Sequence, residues 1–99
     1  MHYLEKKAIK FLKSQGYKVE KYPKVKYQRQ DFLGLFDIMA IKPDHIRFIQ
    51  VSAKKFSQRS KEFKEKWFEI KLPECCRKEY WFWSRRLKDF LIDIEAPEQ

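Results

Sequence analysis

Phe36-Asp37-Ile38-Met39-Ala40-Ile41, Lys42-Pro43-Asp44-His45 and Ile46-Arg47-Phe48-Ile49-Gln50-Val51-Ser52-Ala53-Lys54-Lys55 follow one another without a break. The outer blocks are apolar runs rich in Ile, Val and Phe, and the middle block is a turn sequence, so the stretch reads as two strands joined by a short turn. Side chains alternate across a strand. Asp37 therefore shares a face with Met39 and Ile41, and Gln50 shares one with Phe48, Ser52 and Lys54. If Ile41 stands opposite Ile46, the antiparallel register sets Asp37 across from Gln50. A carboxylate and an amide oxygen then point into the same space from neighbouring strands.

Upstream, Leu4, Ala8, Ile9, Phe11 and Leu12 form a helical stripe over residues 3–15, closed by Gly16 as a C-cap. Glu5 falls inside that stripe, over Ile9 and Leu12, and so faces the core side. Taken alone, it also reads as an edge residue that snorkels or balances nearby lysines. Tyr17 to Tyr22 alternates as a half-buried strand does, and the basic stretch from Pro23 to Leu33 reads as a loop near a ligand. Downstream, residues 57–70 carry Phe63, Trp67 and Ile70 at helical spacing, with Ser57 or Ser60 as N-cap. The segment Glu79 to Arg85 is aromatic on both faces, as a strand buried on both sides is, and residues 90–94 make a last strand. The order is α-β-β-β-α-β-β, an α/β chain with a mixed sheet flanked by helices.

Ninety-nine residues, with 9 Phe, 5 Tyr and 3 Trp, make a single domain over residues 1–99 with one core. No apolar run approaches a membrane span and the N-terminus has no signal-peptide core, so a soluble, intracellular (cytoplasmic) protein is expected, with no membrane partner. Cys75 and Cys76 are adjacent, which suits neither a disulfide nor zinc and leaves both reduced. His2 and His45 lack ligand spacing, and His45 is expected to be exposed in its turn. The net charge of +9 favours a polyanionic partner, with nucleic acid ahead of membrane. Lys18, Lys21, Lys24, Lys26 and Arg29 crowd one segment while Asp93, Glu95 and Glu98 sit near the end, which implies a basic face.

A helix glutamate, a strand aspartate and a polar triplet on the next strand, in this order, resemble the PD-(D/E)XK nuclease superfamily, and most of all the archaeal-type Holliday junction resolvases. Glu5 before Gly16 is similar to the family's first-helix glutamate, Phe36-Asp37-Ile38-Met39-Ala40 to its aspartate strand, and Ile49-Gln50-Val51-Ser52 to its Ile-Glu-X-Lys strand. The resemblance covers nearly the whole chain and implies a restriction-endonuclease-like core. Two positions depart from the pattern. Phe36 stands where the family has proline, and Gln50-Val51-Ser52 stands where it has Glu-X-Lys. Glutamine at the first position is similar to the Mrr-type and some homing-endonuclease branches. The lysine is absent from its place, and Lys54 lies one strand repeat further on, about 6.6 Å along the strand.

The resemblance implies a metal-dependent endodeoxyribonuclease that hydrolyses phosphodiester bonds in branched or duplex DNA, dimeric as the resolvases are. Glu5, Asp37 and Gln50 would then hold Mg²⁺ or Mn²⁺, and Lys54 would complete the catalytic set. Glutamine in place of glutamate removes a negative charge, so Mn²⁺ or millimolar metal is expected to be needed. Lys24, Lys26, Arg29, Lys55 and Arg59, with Ser52 in the lysine's place, are the expected nucleic-acid contacts. The alternative is a catalytically inactive DNA-binding module on the same fold, in which Lys54 and Lys55 only touch phosphates. A third reading, an RNA binder stacking bases on Tyr80 to Trp83, lacks the polar alternation of an exposed platform.

Overall fold

In the computed structural model, which describes residues 2–21 and 35–94, the Pro43-Asp44 turn closes a two-residue hairpin between β2 (Ile38–Lys42) and β3 (His45–Ser52). Ile41 pairs with Ile46 and Ile38 with Ile49, the register expected from the sequence. Around this hairpin lie α1 (His2–Ser14) and β1 (Lys18–Lys21) on one side in sequence. A 3-10 turn (Phe56–Gln58), α2 (Lys61–Glu69), β4 (Cys76–Ser84) and β5 (Asp89–Ile94) follow on the other. The chain is thus α/β, in the order read from the sequence. Its five strands form one mixed sheet in the order β1-β2-β3-β4-β5, with β3 and β4 parallel and the other pairs antiparallel. Parallel neighbours need a crossover, and the 3-10 turn and α2 supply it.

Alternation along β3 and β4 divides the core into two layers. Ile49 and Val51 of β3 and Trp81 of β4 pack with Leu4, Ala8 and Leu12 of α1. Phe48 of β3 and Tyr80 and Phe82 of β4 pack on the opposite face with Phe56 and with Trp67 of α2. The helices therefore cover opposite faces, and β4 is buried on both sides, as its run of aromatics demands. Phe56 and Tyr80 stack at 5.4 Å and Trp67 meets Phe36 at 5.3 Å, so the α2 layer is an aromatic cluster.

Local chemistry fixes the element ends. Gly16 adopts φ +89° beyond α1, where the Tyr17 N–H donates to the Leu12 carbonyl at 3.1 Å and the Gly16 N–H to Lys13 at 3.0 Å. This is a Schellman closure, and it needs the left-handed backbone that glycine adopts without cost. Ser60 caps α2, its hydroxyl accepting from the Phe63 N–H at 3.1 Å, and the helix starts there rather than at Ser57. At the other end, Lys78 of β4 donates to the Trp67 and Ile70 carbonyls at 2.6 and 3.0 Å, tying the crossover to the strand it feeds.

Three expectations change. β2 begins at Ile38, and the chain bends at Asp37. Phe36 and Ile38, two residues apart, consequently enter opposite core layers. β3 ends at Ser52 rather than running to Lys55, because the Ser52 hydroxyl accepts from the Lys54 N–H at 3.0 Å and turns the chain out of the sheet. Lys54 is thus not a strand residue. His45 is half-buried and not free in its turn: its Nε2 lies 2.7 Å from the Tyr17 hydroxyl and its Nδ1 2.8 Å from Asp44.

Candidate functional site

A cavity of about 350 Å³ opens at the carboxyl end of β3, lined by Asp37, Gln50, Val51, Ser52, Ala53, Lys54 and Arg59. In open α/β sheets that end of the strands is the usual place for ligands. Two larger hollows, of about 460 and 400 Å³, are lined by apolar side chains mixed with exposed charges such as Asp93 and Lys88. The smaller one gathers the acid, the amide and two cations, so its chemistry outweighs its size.

Asp37 reaches it through the bend that precedes β2. Its own N–H donates to the Ile49 carbonyl at 2.9 Å, and its Oδ2 accepts the Val51 N–H at 3.0 Å. The carboxylate thereby takes over one rung of the β2–β3 ladder, which sets its orientation where the strands part. Gln50 follows on β3, paired with Tyr80 of β4, and its amide nitrogen makes only a long 3.4 Å bond to the Val51 carbonyl. Gln50 lines the cavity, and its amide oxygen accepts no hydrogen bond from the described residues.

Arg59, just before the cap of α2, lines the same cavity. Its Nη1 donates to the Ser52 hydroxyl at 3.4 Å and the Tyr80 hydroxyl at 3.3 Å, and its guanidinium lies 3.9 Å above the centre of the Phe63 ring. Tyr80 in turn donates to the Lys54 carbonyl at 2.6 Å. Ser52, 6% exposed, lines the cavity, and its hydroxyl oxygen accepts from both the Lys54 N–H and Arg59. Lys54 lines the same cavity with an exposed side chain on a tethered backbone. Lys55 is exposed and borders the 460 Å³ hollow instead. Lys24, Lys26 and Arg29 lie outside the described residues.

Glu5 is 2% exposed, on the core side of α1 as its spacing implies, and its carboxylate lies 3.2 Å from Lys21 Nζ. It does not line the cavity, so the structure brings Asp37 and Gln50 together and sets Glu5 beside Lys21. Among the described residues no group of three or more His, Cys, Asp or Glu side chains gathers. Among the described residues the donor set at the cavity is one carboxylate and one amide oxygen. A hard cation such as Mg²⁺ is bound elsewhere by one or two carboxylates plus substrate phosphate and water, so this set fits one.

Two charged residues escaped the sequence reading. Glu79 of β4, 1% exposed, accepts two bonds from Arg47 of β3 at 2.7 and 2.6 Å and a third from Trp81 Nε1 at 2.9 Å. Burial works against the Arg47 charge, but the hydrogen bonds and field of Glu79 outweigh it and hold the guanidinium above its ordinary pKa. The signal available was an arginine and a glutamate interrupting otherwise apolar strands. Cys75 and Cys76 are free, with their sulfurs 3.7 Å apart. Burial and the neighbouring Cys75 thiol push Cys76 up.

Compared with known proteins, the chain matches no family model, no curated protein and no solved structure. No helix among the described residues is long and apolar enough to cross a membrane.

Proposed function

We propose that this chain is a metal-dependent DNA endonuclease of the PD-(D/E)XK type, with the Asp37 cavity as its active site. The observation that carries the reading is the shared cavity of Asp37, Gln50, Lys54 and Arg59, which sets an oriented carboxylate and an amide oxygen beside two cations. The five-stranded mixed sheet with a helix on each face is compatible with a restriction-endonuclease-like core. The net charge of +9 suits a polyanionic substrate.

In this reading Asp37 and Gln50 would hold Mg²⁺ or Mn²⁺. When bound, such an ion polarises the scissile phosphate and makes a water acidic enough to attack at neutral pH. Asp37 enters the reaction already oriented, because the Val51 N–H fixes one of its oxygens. Arg59 and Lys54 face the charge that builds on the phosphate. Glu5 stays with Lys21 and is not assigned as a direct ligand. Two copies acting on the two strands of a branched DNA complete the proposal, and sedimentation with and without a four-way junction tests that part.

The test of the chemistry is cleavage of a labelled four-way junction and matched duplex with Mg²⁺ or Mn²⁺, alongside Asp37→Ala. Metal-dependent cutting that Asp37→Ala abolishes is the expected result. The second reading, a DNA-binding module without chemistry, is favoured by one observation: among the described residues, Asp37 is the only carboxylate lining the cavity. It wins if neither metal supports cutting while both proteins keep salt-sensitive DNA binding.

A further inference from the structure

Arg47 and Arg59 are the two half-buried arginines among the described residues, and they are treated differently. Arg47 is neutralised by Glu79 through two short bonds. Arg59 has no carboxylate within ion-pairing distance among the described residues. Its partners, the Ser52 and Tyr80 hydroxyls and the Phe63 ring, are all neutral. Drawing a guanidinium partly out of water without a counter-charge is unfavourable, and an incoming anion relieves that penalty. Both hydrogen bonds use Nη1, so the donors on Nε and Nη2 remain uncommitted to the described residues.

We propose that Arg59 is the anion-binding group of this cavity and that its ligand is a phosphodiester oxygen. The guanidinium is contacted from three directions, by β3 and β4 through long bonds to Ser52 and Tyr80 and by α2 through the Phe63 ring 3.9 Å below it, so part of its freedom is already lost before binding. Its planar fork matches the oxygens of a phosphate. Lys54, exposed on the same wall, has no such fork and serves as an outer contact. The fixed cation of the site therefore comes from the entry to α2 and not from strand β3, whose Ser52 only steadies it. The identity of the anion rests on the nuclease reading, whereas the existence of the anion site rests on the geometry of Arg59 alone.

The experiment follows the Arg59 Nε–H resonance by NMR in EDTA while the protein is titrated with a dinucleotide phosphodiester and, separately, with inorganic phosphate. The expected result is a saturable shift with the dinucleotide. Arg59→Gln is expected to weaken binding about tenfold or more, as loss of a charge-assisted bond does. Arg59→Lys should not restore it, because a lysine cannot keep the Ser52, Tyr80 and Phe63 contacts together. Lys54→Gln should change affinity about twofold or less, as for an exposed ion contact. A resonance that does not move, or a larger loss in Lys54→Gln than in Arg59→Gln, overturns the proposal. A shift with inorganic phosphate and none with the dinucleotide overturns the choice of a diester. Because the titration needs neither metal nor cutting, it stands if the protein cleaves nothing. Cleavage by a protein whose Arg59 resonance stays still refutes this inference and leaves the nuclease reading intact. Should Arg59→Gln fail to fold, the wild-type resonance still decides.

Discussion

Glu79 touches Arg47 and Trp81 and neutralises the one charge that β3 carries into the α1 layer. Removing it leaves a guanidinium with 15% of its side chain exposed and, among the described residues, no other ion-pair partner. Glu79→Ala should therefore cost about 3–5 kcal/mol in urea unfolding, the penalty of breaking a buried pair from one side. Asp44 behaves differently because it is exposed. The hydrogen bond from His45 is the main cause that holds its carboxyl below the ordinary range. A carboxyl lowered in the folded state contributes stability above its unfolded pKa, and that contribution is lost as pH falls through the folded value. The stability gap between wild type and Asp44→Asn is thus expected at pH near 6 and should close toward the acid end of the carboxylate range. A gap that widens on acidification contradicts the assignment.

Among the elements, α2 decides the geometry of the site, since Arg59 precedes its cap and Phe63 lies in its first turn. Ser60→Ala should lower stability by about 1 kcal/mol, as the loss of an N-cap does, and should also weaken phosphodiester binding by releasing Phe63 from its fixed N–H. Thermal unfolding and the dinucleotide titration, run on the same sample, check both halves. The element ends that the sequence revealed are those set by local chemistry: Gly16 after α1, a serine before α2 and the two-residue turn between β2 and β3. The bend at Asp37 and the end of β3 at Ser52 stayed hidden. Each depends on one side-chain oxygen choosing a backbone N–H over the sheet's own pattern, which hydrophobic alternation does not encode.

For the molecule as a whole, the order of elements and the double burial of β4 were legible because aromatic and apolar periodicities report directly on burial. The Asp37–Gln50 neighbourhood was legible because a tight hairpin makes its register a matter of counting. Arg59 was visible as one of five basic residues expected to contact nucleic acid, with nothing to set it apart from the others. Its role arises where β3, β4 and the start of α2 converge, and contacts of that kind leave no local trace in the chain. The same convergence bears on time. β2 and β3 are joined by two residues and can pair early, whereas the parallel seam between β3 and β4 must wait until the whole crossover has closed. Ile49→Val, in the hairpin, is expected to slow refolding, while Trp67→Phe, in the crossover, should chiefly speed unfolding. Stopped-flow kinetics on the two variants distinguish these limbs. A newly made chain would on this account own its acid before its cation. The cavity would become competent to grip an anion only with the last act of folding, so a half-folded copy would carry its lysines without its grip.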